Sequence, residues 1–264
     1  MGLVKNSELN AKREIELDLL GFSITTLPIK EIVAAGLQSS NATINCFNAH
    51  SYIVQKVRPV FRASLKKSTA LIPDGSGVVL SLRMLYKTDV HKVAGYDLFL
   101  ESMSQLYVGK GKVFMLGSSE AVLASITSRS QREFPNVEVA TLSPPYKDQF
   151  SSQDISAFEH AIDQFEPDVV FVGLTAPKQE MLIHSFKSFS GVKFLAGIGA
   201  VFDFYAVSVE RLGEFWQRLH LEWLVRFLQN PKHLWRRVII FQPIFVFDVF
   251  LYALRKMPEG RGHV

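Results

Sequence analysis

The sequence predicts an α/β fold, a mostly parallel sheet with helices on both faces, and three observations carry that expectation. The first is the stretch from Asp168 to Leu174, in which an apolar run of β-formers starting at Val169 ends in Gly173-Leu174 and leads into Thr175-Ala176-Pro177-Lys178-Gln179-Glu180. A strand buried on both faces reads as such a run, and the carboxyl end of a parallel strand is where an α/β sheet presents a ligand site. The second is the repeated alternation of strand-like and helix-like segments along the chain. The third is size: 264 residues, 48% of them hydrophobic, suffice for one substantial core and a small appended unit.

Taken in order, a polar leader precedes Leu19 to Ile24, which reads as the first strand, and Pro28 starts a helix over Ile29 to Leu37. Ala42 to Phe47 reads as a second strand, followed by Asn48-Ala49-His50-Ser51 and a helix to Leu65. Ala70 to Ile72 is a short buried strand, stopped by the tight polar turn Pro73-Asp74-Gly75-Ser76-Gly77. Lys112 to Leu116 is a strand again. After Gly117-Ser118-Ser119-Glu120 comes a helix with Val122, Leu123 and Ile126 on one side and an acidic residue at its positive end. Val137 to Leu142, Ile155 to Phe165, the Val169 strand, Met181 to Phe189 and Lys193 to Gly197 continue the alternation.

The net charge is +4 and the sequence pI about 9.1, a balance that suits an anionic partner without choosing among nucleotide, lipid and nucleic acid. The single cysteine, Cys46, excludes an intramolecular disulfide framework and a Cys-based zinc cluster and points to a reducing compartment. The leader, with Lys5, Glu8, Lys12, Arg13, Glu14 and Glu16, lacks a secretory apolar core, so the body is expected to be cytoplasmic.

After about Phe202 aromatic and basic residues dominate, among them Trp216, Trp223, Trp235, Arg211, Arg218, Arg226, Arg236 and Arg237. The division this suggests is a core over 1–204 and an appendage over 205–264. Within the appendage Val238 to Leu254 is strongly apolar but carries Gln242, Pro243 and Asp248, with Arg236, Arg237, Arg255 and Lys256 at its flanks. A spanning helix wants about 20 apolar residues, and a central Asp costs roughly 2.5–3.5 kcal/mol. A segment lying in the headgroup zone of an anionic membrane fits better, with burial in protein or in a homo-oligomer interface as the alternative.

Asp74 is the most suggestive carboxylate, since it ends an apolar strand inside a glycine-rich turn. The competing role is an Asx turn or an N-cap for the Gly77 to Met84 segment. Asn48 is likewise either a cleft residue or a helix cap, and Lys178, Gln179 and Glu180 either face a cleft or merely begin a helix. Strand ends of a parallel sheet converge on one crevice, which favours the joint reading. Gly197-Ile198-Gly199-Ala200-Val201-Phe202 is a weak dinucleotide signature, because the third glycine is absent. The chain has no P-loop, G-x-S-x-G, H-E-x-x-H or D-x-D motif. His50, His91, His184 and His233 lack metal-ligand spacing, and Cys46 has no nearby base in sequence to make it a nucleophile.

Seven separated stretches resemble the WecG/TagA/CpsF family of bacterial glycosyltransferases, in that family's order. They are Asn48-Ala49-His50; Pro73-Asp74-Gly75-Ser76-Gly77-Val78-Val79; Val93-Ala94-Gly95-Tyr96-Asp97; Phe114-Met115-Leu116-Gly117; Val172-Gly173 with Ala176-Pro177-Lys178-Gln179-Glu180; Gly197 to Asp203; and Leu221-Glu222-Trp223-Leu224-Val225-Arg226 ahead of Asn230-Pro231. The resemblance implies a Rossmann-like sheet, a membrane-targeting C-terminal appendage, and a metal-independent, cofactor-free, inverting transfer. The donor would be a UDP-sugar, of N-acetylmannosamine type or a uronic acid, and the acceptor a polyprenyl-diphosphate-linked saccharide at the inner face of the cytoplasmic membrane.

By the same resemblance Asp74 is the general base and Asn48 its polar neighbour. Gln179 is an active-site amide beside Glu180, Gly117 lines the substrate site, and Asp203 contacts the uracil. Lys92, Arg226 and Arg236 offset charge on the departing diphosphate. The chain departs from the family pattern at Cys46, usually Thr; at Lys92 and His233, usually Arg; at Thr175 and His220, usually Gly; and at Leu212-Gly213, where Ala-Pro is usual. Lys92 keeps the charge but loses bidentate geometry. Cys46 and His233 are carried as substrate contacts. The rival readings are a nicotinamide-dependent oxidoreductase and a membrane-associated sugar-nucleotide-binding protein without turnover; a nucleic-acid binder is disfavoured, since the basic residues flank a lipid-like stretch rather than a stacking platform.

Overall fold

The structure is a computed structural model, and it describes residues 16–206 and 240–256. Two strands, β1 (Glu16–Leu19) and β2 (Phe22–Thr25), open the chain as an antiparallel hairpin that pairs Leu19 with Phe22. The apolar run Leu19 to Ile24 is therefore not one strand. Leu20 and Gly21 have φ of 57° and 81°, the left-handed pair that a two-residue hairpin turn requires. Helix α1 (Ile29–Leu37) follows Pro28, then β3 (Ala42–Phe47).

The helix expected to reach Leu65 is two helices, α2 (Ala49–Val57) and α3 (Pro59–Lys67), separated at Arg58, which is extended. Pro59 has no N–H to continue α2 and biases the residue before it away from helix, so it starts α3 instead. The chain continues through β4 (Ala70–Pro73), α4 (Ser76–Tyr86) and α5 (Gly95–Gly109). Next come β5 (Lys112–Gly117), α6 (Glu120–Glu133), β6 (Glu138–Leu142) and α7 (Ser152–Phe165). Last in the core are β7 (Val169–Gly173), α8 (Lys178–Ser185), β8 (Phe194–Gly197) and the six-residue α9 (Val201–Ala206). Helix α10 (Gln242–Lys256) lies in the apolar C-terminal stretch.

Strands β3 to β8 form one six-stranded sheet in the order β4-β3-β8-β7-β5-β6, and every pair in it is parallel. Alternation along each strand sends side chains to two faces. Val113, Met115, Val169, Phe171, Phe194 and Ala196 join Ile32 and Val33 of α1, Leu98 and Phe99 of α5, Leu123 and Ile126 of α6, and Phe202 and Tyr205 of α9. On the other face Phe114, Leu116, Val170, Val172 and Leu195 meet Phe158 and Ile162 of α7 and Leu182 and Ile183 of α8. Beside them a separate cluster gathers Phe47 and Leu71, the hairpin, α2, α3, α4, and Phe245 and Val249 of α10.

The connections run β3 to β4 toward one edge, jump to β5, and return inward through β7 to β8. Such a reversal leaves a crevice at the carboxyl ends of the central strands.

Candidate active site

That crevice brings together the strand ends that the sequence singled out. Asn48 follows β3 and Asp74 follows β4, and β3 and β4 are neighbours with Phe47 opposite Pro73. The Asn48 side-chain amide donates to Asp74 Oδ2 at 3.1 Å. Both readings of Asn48 hold at once, because its Oδ1 accepts from the Ser51 N–H at 3.0 Å while Ser51 Oγ accepts from the Asn48 N–H at 2.9 Å, a reciprocal cap of α2. Asp74 is not the N-cap of α4. That position belongs to Gly75, at φ 90°, with no side-chain bond. Asp74 is instead fixed by its own N–H, which donates to the Phe47 carbonyl at 3.0 Å, while its carboxylate accepts from Asn48.

The loop carrying Lys92 is stitched to the same place, since the Val93 N–H donates to the Pro73 carbonyl at 3.0 Å. Cys46 lies beneath, with its thiol 3.8 Å from the Gly197 carbonyl. Burial first, and then the nearby Asp74 and Glu180 carboxyls, push that thiol well above its ordinary value. It stays protonated at neutral pH, which excludes a thiolate nucleophile.

Across the sheet, β5 ends in Gly117 at φ 141°, where an added Cβ would lie 2.4 Å from the Gly173 carbonyl oxygen. Only glycine lets β5 and β7 close here. Ser118 follows with φ 57° and donates from its hydroxyl to Asp203 Oδ1 at 2.9 Å, and Ser143 donates to the Ser118 carbonyl. Asp74 and Ser118 thus mark two ends of an edge four strand spacings long, about 19 Å at roughly 4.8 Å each. Ser118 and Ser143 were not singled out in the sequence; the only signal was a small polar residue directly after an apolar strand.

Gln179 and Glu180 begin α8 and lie between the two ends, both buried. Gln179 Oε1 accepts from the Gly199 N–H at 2.9 Å, and its amide donates to Glu180 Oε1 at 2.9 Å. The pair therefore clamps the β8–α9 loop. An added Cβ on Gly197 would lie 2.7 Å from Asn45 Oδ1 and 3.0 Å from Gln179 Nε2, so this packing needs glycine. Lys178 turns away, its ammonium 4.2 Å from the centre of the Phe150 ring.

Glu180 also lines a cavity of about 150 Å³ on the α3 and α8 side of the sheet, with Asn45, Lys67 and His184 among its walls. Asn45 Oδ1 and Glu180 Oε2 find no hydrogen-bond partner among the described residues. Burial, only partly offset by the Gln179 amide, pushes the Glu180 carboxyl up to about 7. Asn45 went unnoticed in the sequence, although a polar residue inside an otherwise apolar strand is the signal that marks it.

The structure thus joins Asn48, Asp74, Cys46 and the Lys92 loop at one end, Gly117 and Asp203 at the other, and Gln179 and Glu180 between. Arg226, Arg236 and His233 lie outside the described residues. Among the described residues no group of three His, Cys, Asp or Glu side chains is placed to hold a metal ion. What the edge offers chemically is a carboxylate aligned by a neutral amide, backbone amides of a glycine-rich loop, and a cation-bearing loop alongside.

Comparison with known proteins identifies the family. The chain is 36% identical over 182 residues, 69% of its length and 68% of the relative's, to an N-acetylglucosaminyldiphosphoundecaprenol N-acetyl-beta-D-mannosaminyltransferase of Bacillus spizizenii. A protein of the same description from Bacillus subtilis is 32% identical over 198 residues, covering 75% of this chain and 72% of that one. One from Staphylococcus aureus is 24% identical over 252 residues, 93% of this chain and 96% of its own. The model of the glycosyl transferase WecG/TagA/CpsF family matches residues 17–259, which take in both ends of the crevice and α10. The nicotinamide reading of the Gly197 loop gives way accordingly: the chain belongs to the WecG/TagA/CpsF family and is a glycosyltransferase.

Proposed function

We propose that this glycosyltransferase moves an N-acetylmannosamine-type sugar or a uronic acid from a UDP donor to a polyprenyl-diphosphate-linked saccharide, in cell-surface polysaccharide synthesis. The observation that carries the reading is the Asn48–Asp74 pair at the carboxyl edge of the sheet, in a family whose cited relatives are named for transfer to a diphosphoundecaprenol-linked sugar. Asp74 takes the proton from the acceptor hydroxyl, and the oxygen attacks the anomeric carbon from the side opposite the nucleotide. The bond to UDP breaks in the same displacement, inverting that carbon. Asn48 holds the carboxylate in place. Lys92, with Arg226 and Arg236 from the appendage, offsets the charge left on the diphosphate, a role that needs no metal or other cofactor. Gly117 and Asp203 take the uracil end, and Gln179 with Glu180 shapes the loop between; Cys46 and His233 are assigned to acceptor and donor contact.

The division into a core over 1–204 and an appendage over 205–264 belongs to the same reading, as does attachment to the inner face of the cytoplasmic membrane. No helix among the described residues is long and apolar enough to cross a membrane. Helix α10 instead shows solvent an apolar outer face of Ile244, Phe247, Phe250 and Leu254, with Leu80 and Met84 exposed on the neighbouring α4. Such a face supports interfacial binding to anionic lipid. The double variant Phe247→Glu, Phe250→Glu is expected to lose sedimentation with phosphatidylglycerol vesicles while keeping its melting temperature; undiminished sedimentation removes α10 from that role.

The function itself is tested by incubating the full chain with UDP-N-acetylmannosamine, UDP-uronic acids and a short polyprenyl-diphosphate-linked N-acetylglucosamine. UDP release that requires both one of these donors and the acceptor is the expected result. Release independent of acceptor, or none with any of the donors, counts against the reading.

A further inference from the structure

Asp248 is an anomaly in the sequence, a charge in the middle of an apolar stretch, and the structure gives it an address. It lies on the inner side of α10, where the Tyr52 hydroxyl donates to its Oδ2 at 3.1 Å and the Lys56 ammonium bonds the same oxygen. Around this contact Phe245 and Val249 are buried, Phe245 meets the Tyr52 ring edge-on at 5.5 Å, and Tyr252 reaches back to Asp18. The start of the segment is seated as well: Phe241 stacks on His50 at 5.5 Å, and an added Cβ on Gly77 would lie 2.9 Å from Gln242 Oε1.

Among the described residues α10 packs chiefly on α2 and α4. Helix α2 is capped by Asn48, and α4 begins two residues after Asp74. The C-terminal segment thus meets the first turns of both helices at His50 and Gly77 and runs on along α2 to Lys56, and the starts of these helices carry the hydrogen-bonded pair. Tyr52 and Lys56 place the anchor one and two turns down α2 from Asn48. A helix with an apolar outer face and a half-buried carboxylate on its inner face is favoured in one rotation and register, because any other separates Asp248 from both the Tyr52 hydroxyl and the Lys56 ammonium.

We propose that Asp248 is a positioning residue: through Tyr52 and Lys56 it seats α10 on α2 and α4 and so keeps Asn48 and Asp74 in register for catalysis. The proposal rests on the reading of that pair as catalytic, but its structural half does not depend on turnover. The anchor joins the membrane-facing helix to the chemistry, so that one element both meets lipid and sets the geometry of the base.

The test uses the full chain with Asp248→Leu, which removes both contacts, and Asp248→Asn, which keeps an acceptor for the Tyr52 hydroxyl. In Asp248→Leu, amide hydrogen exchange at residues 49–53 and 76–80 is expected to rise about tenfold or more, with β5 and β7 unchanged. Unchanged exchange in those two turns, or an equal rise throughout the sheet, overturns the proposal. In the transfer assay Asp248→Leu is expected to lower kcat by about 10- to 100-fold at an unaltered KM for the donor, with Asp248→Asn recovering most of the loss. A folded Asp248→Leu variant with kcat within twofold of the parent also overturns it. If Asp248→Leu does not fold, the same readouts are taken on Tyr52→Phe, where smaller changes of the same pattern are expected and no change in either overturns the proposal. A parent chain without transfer activity refutes the proposed function instead, and the exchange experiment still decides the seating.

Discussion

Asp74→Asn is expected to lower the rate of sugar transfer by about 10²- to 10⁴-fold, roughly 3–5 kcal/mol of barrier, with little change in stability. The two halves of this prediction come from different atoms of one residue. The backbone N–H that ties Asp74 to the Phe47 carbonyl survives the substitution, and the side chain caps no helix, because α4 starts from Gly75. An Asn side chain can still accept from the Asn48 amide through its own Oδ1, so the turn keeps its shape. What disappears is the basic oxygen. A single-turnover rate at saturating donor and acceptor separates this from weakened binding, and a rate within a few fold of the parent removes Asp74 from the base role.

Glu180→Gln is expected to make the protein more stable at pH 8 by about 3 kcal/mol, and to leave it nearly unchanged at pH 4.5. The Glu180 carboxyl is pushed up to about 7 by burial, against an ordinary value of 4.5 in the unfolded chain. Between those values the native state holds a proton that the unfolded state has released. Its contribution to stability is therefore fully present below about pH 4.5 and is lost as pH rises to about 7, at roughly 1.4 kcal/mol per pH unit. A neutral Gln keeps the acceptor for the Gln179 amide and removes the dependence. Urea denaturation of both proteins from pH 5 to 8 measures it. Parallel stability curves would mean that water or a ligand in the adjoining cavity solvates the carboxylate. Because the Gln179–Glu180 pair clamps the Gly199 loop, the same titration bears on how firmly that loop is held under working conditions.

How much of this was legible in the sequence varies with the range of the interaction involved. Strands such as β5 and β7 were readable because a strand covered on both faces leaves a continuous apolar run, and their parallel pairing follows from the intervening helices. The first strand was misread because Leu20 is apolar and in the left-handed region at once, so hydrophobicity concealed a turn that the following Gly21 alone announced. The break between α2 and α3 was visible in Pro59. Helix α5 was not recognised: Ser102 faces the core and bonds the Leu98 carbonyl, which blurs the apolar periodicity.

The site was legible as a set of strand ends, since a parallel sheet gathers them whatever their spacing in the chain. Which ends touch was not legible. That Asn48 meets Asp74 depends on β3 pairing with β4, and that Asp203 meets Ser118 depends on β8 and β5 lying on either side of β7. Asp248 shows the limit most clearly. From local sequence it only argues against a spanning helix, while its partners Tyr52 and Lys56 lie 196 and 192 residues away. The parts assigned to Arg226, Arg236 and His233 rest on motif resemblance, because those positions lie outside the described residues.

In the proposed reaction one carboxylate, Asp74, acts as the base of a single displacement. Proton NMR of the newly formed glycosidic linkage, in product made from an α-linked UDP donor, tests that most directly. A β linkage, formed by the parent chain and lost in Asp74→Asn, is the predicted result; an α linkage would require a covalent or front-side path that the Asn48–Asp74 arrangement does not provide, and would contradict the account.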